Sequence, residues 1–268
     1  MESEQEDSMF GAFWVSASGL LSQRAAVDVL SNNIANINTV SYKKNAVQFK
    51  DLIYQRVNAI GEFEPNNSSR TTILMGTGTQ VSSMQKVFSQ GGLEQTDNPY
   101  DIAIIGNGFF QVLLPDGTLA YTRDGSFKVD SDGSLVTAQG YKVEPPIKIP
   151  EGSTNLTISP EGKVSVVMAD TGQTNEIGNI SLYYPPNPDG LLAIGENLYL
   201  PTVASGKMVE QIGDQKTSEL RQGFLERSNV ELSDEMTQLI IAQRAYQLNA
   251  QALQAADEML QAATNIRG

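Results

Sequence analysis

Met236-Thr237-Gln238-Leu239-Ile240-Ile241-Ala242-Gln243-Arg244-Ala245-Tyr246-Gln247-Leu248-Asn249-Ala250-Gln251-Ala252-Leu253-Gln254-Ala255-Ala256 is apolar at helical spacing and almost free of charge. Around it Leu232, Leu239, Tyr246, Leu253 and Leu260 lie seven apart, the repeat of a coiled-coil seam. Three residues after the last four of these stand Ala242, Asn249, Ala256 and Ala263. Large side chains beside small ones suit close helix packing. Two starts are open: Ser228 with Glu231 as a capping box, or Ser233 followed by Asp234 and Glu235.

The other end of the chain mirrors this pattern. Between Phe10 and Ile37, Phe13, Leu20, Val27 and Ile34 again lie seven apart. Asn32, Asn33, Asn36 and Asn38 crowd the end of the segment. Asparagine competes with the helical backbone and tolerates left-handed geometry, so the helix is expected to stop there.

The middle changes period. From Gly106 to Val143 short apolar runs alternate with Asp116-Gly117, Asp124-Gly125 and Asp132-Gly133, spaced eight apart. An Asp-Gly pair supplies the positive φ of a tight hairpin turn, so all three are predicted to turn a β-meander. Further strands are expected at Leu156–Ile158, Val164–Met168, Ile180–Tyr184 and Leu198–Leu200, with a loop at 185–190. The fold class is therefore α+β: long N- and C-terminal helices pairing as a coiled-coil-like inner domain, and a central, mainly antiparallel β domain. Residues 1–40 and 229–268 form the helical domain, 76–203 the β-rich outer domain, and 41–75 and 204–228 connect them. The polar stretches 61–70 and 204–222 read as exposed connectors.

Composition removes several function classes. The 268 residues contain neither cysteine nor histidine, which excludes disulfides, thiolate nucleophiles, Ser-His triads and nearly all zinc sites. With 18 basic and 31 acidic residues the formal net charge is −13. That opposes generic binding to nucleic acid or to an anionic membrane. The acidic start, Met1-Glu2-Ser3-Glu4-Gln5-Glu6-Asp7, lacks the pattern of a secretory signal.

The motifs that could carry chemistry have plainer readings. Gly106-Asn107-Gly108 precedes another strand rather than a helix, so it reads as a tight turn, not a nucleotide loop. Placing Gly133 at the sixth position of a calcium loop puts Lys128 first and Gln139 twelfth, where carboxylates are required. Glu94, Asp97 and Asp101 cluster as glycosidase acids would, but 31 acidic residues produce such clusters by chance. No catalytic residue, metal or cofactor is expected.

The terminal helices are more informative. Between Ala12 and Ile37 the only ionisable side chains are Arg24 and Asp28. Between Met236 and Asn265 they are Arg244, Tyr246, Asp257 and Glu258. A surface helix of a monomer keeps a charged outer face. Two arrangements fit: core helices packed on the β domain, or helices buried on several sides by other copies. The second is favoured, because ordering so many residues costs more than one chain's apolar stripe returns. The helices are then expected to fold as copies assemble.

Ser31-Asn32-Asn33-Ile34-Ala35-Asn36-Ile37-Asn38-Thr39, behind Ser18-Gly19-Leu20, resembles the N-terminal signature of the bacterial flagellar basal-body rod and hook family. Ser228-Asn229-Val230, Gln243-Arg244-Ala245-Tyr246 and Asp257-Glu258-Met259-Leu260 resemble its C-terminal end. Between them, Gly76-Thr77-Gly78, Ser89-Gln90-Gly91, 101–110, 121–127 and 194–199 resemble the family's distal-rod members. The resemblance covers nearly the whole chain after Met9. It implies a non-enzymatic subunit, exported unfolded by the flagellar export apparatus without a cleaved signal. Copies would stack helically into a rigid hollow drive shaft spanning the periplasm, terminal helices inside and β domain outside. The implied partners are the chain itself, proximal rod and hook proteins and surrounding ring proteins. By carry-over, Phe13, Leu20, Val27, Ile34, Leu239, Tyr246, Leu253 and Leu260 form the polymerisation interface.

The alternatives are a hook or proximal rod subunit within the family. Outside it they are a β-rich cell-wall binding module or a peptidoglycan-cleaving enzyme. Two departures stand out: the acidic extension 1–8, and Ser41 where the family commonly has glycine. Serine adopts left-handed backbone at a cost of roughly 1–2 kcal/mol, so the turn after the first helix is expected to differ.

Overall fold

The asparagine-rich stretch does end the N-terminal helix. In this computed structural model, which describes residues 2–58, 72–169, 173–211 and 218–266, that helix runs Glu2–Ala35. It starts earlier than Phe10, at Glu2. The C-terminal helix runs Leu232–Ile266 with Asp234 and Glu235 in its first turn. It begins between the two candidate starts; the Ser228 hydroxyl accepts from the Val230 N–H at 3.3 Å in the turn before it.

The chain divides into two compact units. The first comprises Met1–Ile34, Asn45–Gln85 and Leu232–Gly268. It holds both helices and a two-stranded ribbon, in which Asn45–Asp51 pairs with Thr79–Lys86 and Tyr54–Asn58 pairs antiparallel with Thr72–Gly76. The expected connector 61–70 lies outside the described residues.

The second unit comprises Ala35–Lys44 and Lys86–Glu231 and is built of antiparallel β-structure. A nine-stranded sheet is centred on Phe109–Leu113, which pairs with Leu119–Thr122 on one side and with Lys142–Glu144 and Leu182–Tyr184 on the other. A three-stranded sheet joins Ser153–Ile158, Lys163–Met168 and Thr174–Asn179. Late strands return to early ones: Glu219–Gln222 pairs with Ile102–Ile105, and Phe224–Glu226 with Leu93–Gln95. The core includes Ile102, Ile104, Phe110, Phe127, Val143, Val164 and Leu220.

Two of the three Asp-Gly pairs turn hairpins. Gly117 (φ 81°) links Phe109–Leu113 to Leu119–Thr122, and Gly133 (φ 75°) links Lys128–Val129 to Leu135–Val136. Asp124-Gly125 does not, because the strands on either side of it pair elsewhere. Its glycine serves close approach instead: a Cβ there would stand 1.7 Å from the Ile102 carbonyl oxygen, whose own N–H donates to the Gly125 carbonyl at 3.0 Å. The Asp124 carboxylate turns the chain locally by accepting from the Ser126 N–H and hydroxyl, at 3.0 and 2.7 Å.

Candidate assembly interface

The helices of the first unit meet through their small residues. Asn33 bonds Glu235, Ala26 and Ala242 share a buried cluster, and Gly19 faces Asn249. Each step is seven residues down one helix and seven up the other, so the helices run antiparallel. A Cβ on Gly19 would come within 2.8 Å of the Asn249 amide nitrogen. The positions flagged from sequence as small, Ala242 and Asn249, are thus where the helices approach.

At one end this contact is polar and buried. The Asn33 Nδ2 donates to Glu235 Oε2 at 3.1 Å and to the Asn45 carbonyl at 2.9 Å, while its Oδ1 accepts from the Asn45 N–H at 2.9 Å. Its side chain thereby pairs with the first ribbon strand as a backbone would. At the other side of the ribbon, the Ser18 hydroxyl accepts from the Thr79 N–H and the Ser22 hydroxyl donates to the Thr79 carbonyl, both at 3.3 Å.

The residues expected to form the interface divide. Val27 and Leu239 pack against Ala26, Leu30 and Ala242 within the chain. Leu20, Ile34, Leu253 and Leu260 are half-buried. Phe13 and Tyr246 are exposed, each at 38%. A more exposed face lies beside that stripe: Trp14 (71%) and Leu21 (64%) on one helix, Ile241 (63%) and Leu248 (64%) on the other. Both pairs also repeat at seven. The same spacing of seven is present in the sequence, but each of these stripes has only two large apolar members against four in the other. On the ribbon, Phe49, Ile53, Tyr54 and Met84 are exposed as well. Exposed large apolar side chains on elements with so little charge mark these elements as contact surface.

In the second unit, a buried ionic knot fixes the chain where it passes in after the first helix and out before the last. Glu226 Oε1 accepts from Lys43 Nζ at 2.6 Å and from the Gly91 N–H at 2.9 Å; Oε2 accepts from Arg123 Nε at 3.0 Å. Arg123 also donates to the carbonyls of Gly108 and Gly106, at 3.1 and 3.0 Å, and Lys43 to that of Ser89 at 2.8 Å. Burial, and then repulsion from Arg123, push the Lys43 ammonium down to about 8, against the pull of Glu226. Asn229 extends the knot: its Oδ1 accepts from the Lys44 N–H at 2.8 Å and its Nδ2 donates to the Val87 carbonyl at 2.7 Å.

Ser41 sits in this knot at φ 54°, so the turn does take the left-handed form that glycine would allow. Its hydroxyl donates to the Arg123 carbonyl and its N–H to the Glu226 carbonyl, both at 2.8 Å. Those bonds offset the backbone cost that suggested a different turn.

Among the described residues no group of three His, Cys, Asp or Glu could hold a metal, and no helix is long and apolar enough to cross a membrane.

Comparison with known proteins places the chain in a family. Residues 13–43 match the family described as flagella basal body rod protein, residues 103–166 the flagellar hook protein FlgE/F/G D1 domain, and residues 221–266 the flagellar basal body rod FlgEFG protein C-terminal family. The chain is 45% identical over 263 residues to the flagellar basal-body rod protein FlgG of Borreliella burgdorferi, covering 97% of this chain and 99% of the relative. It is 42% identical to the protein of that name from Buchnera aphidicola (94% and 98% covered) and 38% identical to that from Bacillus subtilis (97% and 100%).

Proposed function

Because this chain belongs to the flagellar basal-body rod protein family, we propose that it is the subunit of the distal rod, polymerising helically into a rigid hollow shaft that carries torque from motor to hook. It is a structural protein of the flagellar basal body, not an enzyme. The observation that carries the polymer reading is the exposure of large apolar side chains on two helices with few charges, Trp14 and Leu21 on one and Ile241 and Leu248 on the other. A single chain leaves those side chains in water; stacked copies would bury them.

In this reading the antiparallel helix pair is a coiled-coil-like element of the inner tube, formed by residues 1–40 and 229–268. Residues 76–203 lie outside it, with 41–75 and 204–228 connecting, although the strands at 219–222 and 224–226 of the latter segment also complete the β unit. Phe13, Leu20, Ile34, Tyr246, Leu253 and Leu260 join the exposed stripe at the contact between copies, and Val27 and Leu239 support it from within the pair. The partners at the two ends are proximal rod and hook proteins, ring proteins surround the shaft, and the flagellar export apparatus delivers the chain.

The test is assembly itself. Leu248→Asp and Leu253→Asp are expected to abolish sedimentable polymer while leaving the β unit folded by circular dichroism. Rods of normal length from both variants under electron microscopy would sink the proposal.

A further inference from the structure

Asn107-Gly108 is the only Asn-Gly pair in the chain. It lies in the turn between Ile102–Ile105 and Phe109–Leu113 of the β unit. Gly108 is not what makes that turn: Gly106 carries the positive φ, at 97°, and Gly108 does not. Nor does packing require it, since a Cβ there would meet Leu182 at 3.5 Å and Ile104 at 3.6 Å, ordinary contact distances. What the glycine does is leave its own nitrogen unhindered. The Gly108 N–H donates to no group among the described residues. The Asn107 side chain beside it is exposed and has no partner among them.

The oxygen of the same peptide group is held firmly. The Asn107 carbonyl accepts from Gln211 Nε2 at 2.7 Å and from the buried Ser218 hydroxyl. On either side of it, Arg123 donates to the carbonyls of Gly106 and Gly108. When an amide nitrogen loses its proton, the charge spreads onto the carbonyl oxygen. Donors already aimed at that oxygen stabilise the anion, and the nearby guanidinium favours it further.

We infer that Asn107-Gly108 is a self-modification site, at which the fold activates the Gly108 nitrogen toward the Asn107 side chain. The deprotonated nitrogen attacks Asn107 Cγ, the Cγ–Nδ2 bond breaks, and Nδ2 leaves as ammonia with the proton that Gly108 gave up. The product is a cyclic succinimide. Water then opens it at one carbonyl to give aspartate, or at the other to give an isoaspartyl linkage. One water is consumed, one ammonia is released, and nothing is oxidised or reduced. Either product adds a negative charge at the turn. The isoaspartyl form also inserts a methylene into the main chain between two carbonyls that Arg123 grips, at 3.0 and 3.1 Å. Arg123 holds Glu226 as well, so conversion at 107 strains the buried knot.

The test follows purified full-length protein in mildly alkaline buffer over days. Samples are digested at acid pH, and each asparagine peptide is weighed for conversion of amide to acid and assayed for isoaspartate. In the folded chain, Asn107 is expected to convert ahead of every other asparagine. Ser218→Ala removes one donor and should slow this about threefold to tenfold, the worth of one hydrogen bond. Ser218→Thr keeps the hydroxyl and should restore the rate. Circular dichroism checks that the variants fold; if Ser218→Ala does not, Gln211→Met removes the other donor and is read in the same way. A folded chain that stays intact at 107 while the urea-unfolded chain converts there overturns the inference, because the fold then shields the pair. Conversion as fast or faster in the folded donor variant also overturns it, because the reaction then needs only a loosened turn.

Discussion

At Ser41 a residue in a glycine's conformation is held by its own side chain, and the two effects can be separated. Ser41→Ala keeps the strained φ and leaves the buried Arg123 carbonyl without its donor, a loss of about 1–3 kcal/mol. Ser41→Gly loses the same bond but relieves the backbone, so it is expected to cost less than the alanine. Urea midpoints at unchanged slope measure this; equal losses would mean the φ carries no strain. Glycines make the same point. Gly117→Ala meets open space and only an unfavourable φ, about 1–2 kcal/mol. Gly125→Ala drives a methyl into the Ile102 backbone and is expected to cost more. Sequence reading placed both in hairpins, because an Asp-Gly pair announces a turn but not what packs against it.

Lys43 makes a prediction in pH. Its ammonium titrates at about 8 in the folded chain, below its ordinary 10.5. Between those values the unfolded chain binds more protons, so this group's contribution to stability rises with pH across the window. Tyr199 works in the opposite sense: burial raises its phenol above the usual 10, and the stability it adds is lost at higher pH. From pH 8 to 10 the stability of wild type relative to Lys43→Met should therefore increase. A flat difference would show that the ammonium is not held down.

For the elements, the question is what the seven-residue repeat meant. The sequence indicated two helices and the end of the first, because asparagine at 32–38 acts locally; it missed the first helix's start at Glu2 and left the second's open. It did not reveal which stripe faces which neighbour. The large residues at 13, 20, 27 and 34 were assigned to the contact between copies, and within one chain the helices approach most closely through their predecessors Gly19, Ala26 and Asn33. Both stripes have the same period, and only the partner helix distinguishes them. Ala26→Leu is thus expected to overpack the pair by about 1–3 kcal/mol and to loosen amide protection across 232–249. Gly11→Ala, with nothing within 4 Å, should instead stabilise its helix by about 1 kcal/mol. Unchanged hydrogen exchange in Ala26→Leu would refute this packing. The knot of Lys43, Arg123 and Glu226 was not legible at all, because its members are far apart in sequence and none lies in a periodic pattern.

Taken whole, the molecule must assemble against its own charge. Salt shortens the screening length from about 10 Å at 0.1 M to about 3 Å at 1 M. Apolar contacts between acidic copies then predict a critical concentration that falls as salt rises, measured by sedimentation. A critical concentration that rises would mean the copies are joined by ion pairs instead.

The path of the chain through the β unit also sets a clock. Lys43 and Glu226 stand 183 residues apart, and the strands that complete the sheets at Ile102–Ile105 and Leu93–Gln95 arrive only with residues 219–226. Contacts of such long range form slowly, since loop closure precedes any return. Until residue 226 is present, two cations destined for the interior lack their carboxylate and two strands lack their mates. An unfinished chain therefore lacks the contacts that close its β unit, which is complete only once residues 219–226 have been made.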